Sequence, residues 1–450
     1  MQKINKIRLL IVDDSSFIRA AIRNIVQSVD EIIVVGEAKD GKEAVDLARE
    51  LSPDIITMDV ELPIMSGIEA TKEINKYAKI PIIMLSSLTS DGADATLDAL
   101  SCGAVDFITK KSNLGEFKQL KEEIIEKIIS IYNSSNIKKL VHRNMLLKQN
   151  IEFSKKETNN RKSDKDNSTR ISNIGNLNDR TITPSFNRNV FNTEFGRNVN
   201  EPQNTDFSSK VYERREVKVE KKVEKKVDSK AASNEIPRNI GINLSYERED
   251  ITNSKAYQKP QQNLVKIIFI GISTGGPAAL QKIIPTLSSK INVPIFIVQH
   301  MPPNFTKSLA NRLDTICKLR VKEAEHNEVV QNGTIYIGKG GFQMLVNNKG
   351  IIQLEEKKYE NNLFAPSVEV TLDSLVDVYG GKILGLMMTG MGNDGKNAFK
   401  KLKQKGGFVA VQDFHSCVVS GMPKSVIDNC SVNEVIKLDD ISEYLNSIFE

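Results

Sequence analysis

From residue 6 to about residue 132, short apolar runs alternate with segments whose apolar residues recur at helical spacing. The runs are IRLLIVDD, IIVVGEA, DIITMD, IPIIMLSS and VDFIT, and the helical segments include FIRAAIRNIV, EAVDLARELS and LKEEIIEKIISIY. Short, β-branched runs read as buried strands, and the i, i+3, i+4 spacing reads as amphipathic helix. Five such βα units predict a parallel sheet covered by helices on both faces, with the ligand crevice at the carboxyl ends of the strands.

The periodicity dissolves from about Ser134 to Leu264. This stretch is rich in Asn, Lys, Ser, Thr and Arg, and it carries an imperfect repeat (FNRNV, then FGRNV) and the block VEKKVEKKVD. Val219, Val223 and Val227 recur every four residues, but no wider apolar stripe accompanies them, so a solvated linker is the expectation. A flexible chain of about 120 residues has a root-mean-square span of roughly 60 Å, ample for one domain to dock on the other or leave it. Alternation resumes at Val265 with VKIIFIGIS, VPIFIVQH, KILGLMMTG and GFVAVQD, interrupted by a more β-rich insert through TIYIGKG, FQMLVNN and GIIQLEE. The expected organisation is therefore a first domain at 1–133, a disordered polar linker at 134–263, and a second doubly wound α/β domain at 264–450 with a small antiparallel insert.

Composition narrows the class. At 450 residues the chain exceeds one ordinary core. No apolar run approaches the roughly 18 residues of a membrane span, and the N-terminal MQKINKIRLLIVDD leads directly into a strand rather than a leader peptide. The cysteines, Cys102, Cys317, Cys417 and Cys430, form no CxxC pair, which argues against a zinc site or disulfide framework and fits a reducing cytoplasm. The net charge of +5 is mild and no basic recognition element stands out, so nucleic-acid binding is not expected.

Two constellations carry candidate chemistry. Asp13 and Asp14 follow the first strand and Asp59 ends the third, an oxygen-rich cluster suited to Mg²⁺. Asp59 could then attack a phosphoryl donor, with Ser86 ending the fourth strand and Lys110 following the fifth. Taken singly, a strand-end Asp is often a helix cap and a Lys is usually surface. Jointly, VDDSSFIR, TMDVELPIMSG, MLSSLT and GAVDFITK resemble a response-regulator receiver domain, a flavodoxin-like five-stranded fold, over about residues 6–130. The resemblance implies that Asp59 is phosphorylated by a histidine kinase, that Asp13 and Asp14 help hold Mg²⁺, that Ser86 and Lys110 sense the phosphate, and that Phe107 is the aromatic that changes rotamer. Lys111 stands where such domains commonly have proline.

In the second domain, Gly271-Ile272-Ser273-Thr274-Gly275 matches the G-x-S-x-G elbow. A Gly-rich phosphate cradle or a plain tight turn would read the same way. Of the histidines His142, His300, His326 and His415, only His300 ends a strand on the edge expected to carry Ser273, where a general base would have to stand. Asp394 follows KILGLMMTG at the start of a helix, as a cap or as the acid that orients an imidazole. The order Ser, His, Asp differs from that of α/β-hydrolases.

GISTGGP, VQHMPPNFT, MTGMGNDG and SCVVSGMP together resemble the catalytic domain of the chemotaxis protein-glutamate methylesterase (CheB) family over residues 265 to about 440. The resemblance implies a cytoplasmic serine esterase with no cofactor of its own, recruited to receptor clusters. It would hydrolyse glutamyl 5-methyl esters on methyl-accepting chemotaxis receptors and deamidate receptor glutamines. Ser273 would be the nucleophile, His300 the base and Asp394 the orienting acid, with Thr274 and the backbone near Met391 at the oxyanion. Phe364 and Ala365 stand where the family usually has basic residues before Pro-Ser-Val, which bears on substrate preference. Two other classes are weighed: a phospho-switched adaptor keeping the fold without activity, and a DNA-binding regulator, which the glycine-rich strand ends of the second half disfavour.

Overall fold

The computed structural model describes residues 6–110, 120–134, 257–356 and 364–450. Most of the expected linker, including the imperfect repeat, the VEKKVEKKVD block and His142, lies outside the described residues, as does Lys111. No helix among the described residues is long and apolar enough to cross a membrane.

The N-terminal half is built from strands β1 (Ile7–Val12), β2 (Ile32–Ala38), β3 (Ile55–Asp59), β4 (Ile82–Ser86) and β5 (Asp106–Thr109). Between them run helices α1 (Ser16–Val26), α2 (Gly41–Leu51), α3 (Gly67–Tyr77) and α4 (Ser90–Ser101), and helix α5 occupies 120–134. The strands form one parallel five-stranded sheet in the order β2-β1-β3-β4-β5. Strands β3 and β4 are buried along their whole length, as expected of a sheet covered on both faces. The helix starts are capped by other residues than the candidate carboxylates: Ser15 caps α1 and Ser66 closes a capping box on α3. Asp13, Asp14 and Asp59 are thus left to the sheet edge.

The C-terminal half contains β6 (Ile267–Ile272), α6 (Gly276–Ile283), β7 (Ile295–Gln299), α7 (Phe305–Ile316), β8 (Arg320–Glu323) and β9 (Thr334–Ile337). It continues with β10 (Phe342–Val346), β11 (Ile352–Glu356), α8 (Val368–Tyr379), β12 (Ile383–Met387) and α9 (Lys396–Gln404). Strand β13 (Phe408–Gln412), α10 (Gly421–Asn429), β14 (Glu434–Ile436) and α11 (Ile441–Phe449) complete it. A seven-stranded parallel sheet has the order β14-β13-β12-β6-β7-β9-β8. Every residue of the central β6 is buried. The antiparallel insert is narrower than its sequence suggests. TIYI, as β9, pairs in parallel with β7 and β8, and only β10 and β11 form the hairpin. All four TIYI residues are buried, and the continuous apolar run suits a doubly covered parallel strand better than a hairpin with one wet face.

The segment from Tyr257, placed in the linker by its composition, packs on the C-terminal domain. The Tyr257 hydroxyl donates to Asp440 at 2.6 Å and its ring meets Tyr444 edge-on at 5.9 Å. A single aromatic ring among polar residues is too sparse to register as periodicity.

Both sheets belong to one compact unit, and α4 packs beside α7. Asn304 donates to the Leu88 carbonyl at 3.0 Å, and Arg312 reaches Asp98 at 2.5 Å and Ser101 at 3.1 Å. Phe107 of β5 stacks on Phe305 with centroids 4.6 Å apart and planes 3° from parallel. Met391, Val418 and Val419 of the C-terminal half join the apolar cluster of Ile124, Ile128 and Ile131 on α5.

Candidate active site

At the carboxyl edge of the N-terminal sheet, the strand order reverses between β1 and β3, the place where doubly wound sheets leave a crevice. Oxygen atoms of Asp13, Asp14 and Asp59 lie within 4.8 Å of one another there. Lys110 reaches Asp59 at 2.6 Å and Asp13 at 2.9 Å. Burial pushes the Asp59 carboxyl up to about 6, against the hydrogen bond and charge of Lys110. Asp13 is fully buried and Asp14 is exposed. Three carboxylate oxygens facing one point, one of them solvent-accessible, fit a hard cation that keeps several waters, so these residues would hold Mg²⁺. Ser86 stands at the end of β4 with its hydroxyl turned toward α4, accepting from Thr96 at 2.6 Å and donating to the Gly92 carbonyl at 3.1 Å. Phe107 is buried on β5, and its carbonyl accepts from the Lys127 ammonium at 2.6 Å.

In the C-terminal sheet, Ser273 follows β6, His300 follows the adjacent β7, and the turn after β12 carries Asp394. The G-x-S-x-G segment forms a strand-to-helix turn in which Gly275 takes a φ of 77°, a conformation that glycine adopts without strain. The Ser273 hydroxyl lies 3.1 Å from His300 Nδ1, and His300 Nε2 lies 2.7 Å from Asp394 Oδ2. With the carboxylate accepting from Nε2–H, the Nδ1 lone pair faces the serine, the tautomer a general base requires.

Asp394 does not cap the helix it precedes. Helix α9 begins at Gly395 without a side-chain cap, and the carboxylate turns instead to the N-terminus of α8. It accepts from the Ser367 hydroxyl at 2.9 Å, the Val368 amide at 2.7 Å and the Glu369 amide at 3.0 Å. Burial alone would raise its pKa, but the hydrogen bond and charge of His300, together with the two amides, hold it below the ordinary carboxylate range. Close approach makes this possible. A Cβ at Gly271 would lie 2.7 Å from a Val368 methyl, and one at Gly395 2.4 Å from the same group.

Two further groups fix the serine and histidine backbones. Gln299 Nε2 donates to the carbonyls of Ser273 at 3.0 Å and His300 at 3.2 Å. The Ser273 amide donates to the Thr389 carbonyl at 2.9 Å. Thr274 is buried, its carbonyl accepting from Thr389 Oγ1 at 2.9 Å. The turn carrying Met391 passes beside the serine, since a Cβ on Gly390 would lie 2.9 Å from that of Ser273. The Met391 sulfur accepts from Ser130 of α5 at 3.3 Å. His326 serves elsewhere, accepting from the Leu354 amide at 3.0 Å. A cavity of about 50 Å³ remains between the halves, lined by Ser273, Thr274, His300 and Pro302 on one side and Asp106, Phe107, Thr109, Glu123 and Lys127 on the other.

This geometry meets the comparisons with known proteins. Residues 268–445 match the CheB methylesterase family model, and residues 9–122 match the response regulator receiver domain. A protein-glutamate methylesterase/protein-glutamine glutaminase of Methanococcoides burtonii is 34% identical over 448 residues, covering 99% of this chain and 98% of that protein. The chain belongs to the CheB family. A protein-glutamate methylesterase/protein-glutamine glutaminase of Thermotoga maritima is 35% identical over 444 residues, covering 98% of this chain and 97% of that protein. The crystal structure of the Thermotoga maritima CheB methylesterase catalytic domain is 44% identical, with a TM-score of 0.39, covering 41% of this chain and 98% of that chain.

Among the residues of this site that the sequence did not single out, Ser367 and Gln299 stand out. Ser367 was visible as the serine of Pro-Ser-Val, a helix-start signal. Nothing in that signal said whose carboxylate the helix would receive. Replacing Ser367 with Ala removes one of four donors to Asp394 and the cap of α8. Turnover is expected to fall about tenfold, as for a lost hydrogen bond to a charged group, with KM unchanged and partial rescue by Thr. Steady-state methanol release over a substrate series checks this.

The raised Asp59 pKa has its own consequence. The folded carboxyl holds a proton up to about pH 6, above its ordinary value of 3.8. The metal-free fold therefore loses stability from this group as pH rises through that window. Mg²⁺ affinity, measured by calorimetric titration, is expected to drop roughly tenfold from pH 7 to pH 5 as Asp59 protonates. Asp59→Asn is expected to raise the metal-free melting temperature at pH 8.

Proposed function

We propose that the chain hydrolyses glutamyl 5-methyl esters on methyl-accepting chemotaxis receptors, and deamidates receptor glutamines, under the control of Asp59 phosphorylation by a chemotaxis histidine kinase. The observation that carries the reading is the hydrogen-bonded line from Ser273 through His300 to Asp394, set at the switch point of a parallel sheet.

Ser273 attacks the ester carbonyl while His300 Nδ1 accepts its proton. Asp394, its charge held by the N-terminus of α8, stabilises the imidazolium formed at that moment. The backbone N–H of Met391 has no hydrogen-bond partner among the described residues, so it is available to the developing oxyanion, with the amide of Thr274 as its companion. His300 then gives the proton to the departing methoxy oxygen, or, when a glutamine is the substrate, to the departing amide nitrogen, which leaves as ammonia. Water activated by the same imidazole releases the acyl group from Ser273.

The regulatory part rests on what lies over the serine. The cavity at Ser273 is closed by β5 and α5 of the receiver, too small for a protein side chain and its backbone to enter. Bound Mg²⁺ would neutralise the acidic cluster as the phosphoryl group arrives at Asp59. Lys110, now paired with Asp59 and Asp13, would turn to the phosphoryl oxygens. Phe107 sits on β5, just before this lysine, and stacks on Phe305 at the start of α7. Its reorientation would break the ring stack and shift the population toward an open arrangement. Recruitment to receptor clusters in the cytoplasm follows from the substrate.

Methanol release from methylated receptor tests the reading. Wild type is expected to release it, Ser273→Ala to release none, and a small-molecule phosphodonor with Mg²⁺ to accelerate wild type but not Asp59→Asn. Absence of release from folded wild type under both conditions favours the adaptor. Arg312, on the side of α7 that meets α4, tests the docking separately. Arg312→Ala removes its bonds to Asp98 and Ser101, worth up to about 1 kcal/mol, and is expected to raise unphosphorylated turnover two- to fivefold, leaving the phosphorylated rate unchanged.

A further inference from the structure

The two nitrogens of His300 are taken by Ser273 and Asp394, which leaves the faces of the imidazole. One face is covered by Phe364, with ring centroids 4.1 Å apart and planes 10° from parallel. Phe364 is nevertheless 50% exposed, an unusual condition for a large aromatic ring beside a reactive group. Its backbone is anchored. The Phe364 carbonyl accepts from Gln343 Nε2 at 2.6 Å, and Gln343 Oε1 accepts from the Ser367 amide at 2.9 Å. The same short segment, 364–369, therefore delivers the ring to His300 and three donors to Asp394.

Resting on the esterase reading, we propose that Phe364 is a specificity-determining residue, an apolar shelf at the lip of the site that contacts the substrate residues flanking the ester. The placement carries the argument. An acyl carbon bonded to Ser273 Oγ would lie beside the imidazole edge, since that oxygen is 3.1 Å from Nδ1, and the stack sets the Phe364 ring over the face of the same imidazole. The segment on either side of the modified glutamate must pass over this lip. Half of the Phe364 surface stays exposed with the receiver in place, so the ring can meet an incoming segment. A neutral ring offers nothing to an acidic neighbour and leaves its carboxylate partly desolvated. A small apolar neighbour instead covers the ring and removes its exposed area from water. Lys339, on the loop before β10, does not reverse this preference, because its ammonium sits over the ring of Phe342 at 4.9 Å. The shelf thus selects methylated glutamates with apolar neighbours over those with acidic ones.

The test uses the full chain and two helical peptides carrying glutamate 5-methyl ester, one flanked by alanine and leucine, the other by glutamates. Methanol release gives kcat/KM for wild type, Phe364→Leu and Phe364→Arg, with phosphodonor and Mg²⁺ present. Wild type is expected to prefer the apolar-flanked peptide about tenfold. Phe364→Leu keeps that preference while lowering kcat for both peptides, because the stack is lost but the apolar surface remains. Phe364→Arg reverses the preference. Fluorescence anisotropy with the same peptides, labelled, on Ser273→Ala protein gives the preference as a ratio of Kd values, independent of turnover. A preference present in binding but without methanol release from wild type supports the shelf and overturns the esterase reading alone. Equal affinity for both peptides, or a Phe364→Arg variant that weakens both by one factor, overturns the proposal.

Discussion

A buried carboxylate that must stay charged is the constraint around which the C-terminal half is arranged. Asp394 sits in the interior beside an imidazole, and ionising it there without partners would cost far more than the fold could supply. The chain meets this with the first turn of α8, whose free amides and capping hydroxyl converge on the carboxylate. That convergence dictates much else. It requires α8 to cross closely over β6, hence glycine at 271, and it requires glycine again where the chain leaves Asp394 for α9. It also fixes Pro-Ser-Val immediately before α8 and ties that segment to β10 through Gln343.

The N-terminal half contains the opposite solution to a similar burial. Burial raises the Asp59 pKa, with one lysine lowering it and the charge of Asp13 adding a smaller push upward. Asp394 has donors on nearly every side, and its pKa falls. The difference suits the two sites. A carboxylate held charged by donors can orient a neighbouring imidazole, whereas buried carboxylates with few donors are suited to receive a cation.

Much of this could be read before the structure. Both parallel sheets follow from strand runs alternating with helical spacing; Ser273 and His300 were singled out at strand ends on one edge, and Asp394 after a strand and a glycine-rich turn at a helix start. Their mutual distances now put them within hydrogen-bonding reach. The places where reading failed share a physical cause. Strand β9 was assigned to the antiparallel insert because four buried residues carry no information about which neighbour they pair with. The docking of Tyr257 was missed because a pair of aromatic contacts leaves no period. Ser367 was recognisable as a helix start, yet its partner lies 27 residues away, and such long-range pairings are not written in local spacing. Phe364 stood out only as a departure from the basic residues usual at its position, and its stack on His300 needed coordinates.

The short strand β5 gives the two halves a common boundary. Asp106 is bound to Lys127, Phe107 lies against Phe305, and Lys110 follows at once with its ammonium in the acidic cluster. One edge of the receiver is therefore both instrument and obstacle. A protein that gripped the receiver along β5 and α5 would need the surface that Phe305 and the Ser273 turn already cover, so the two contacts exclude each other.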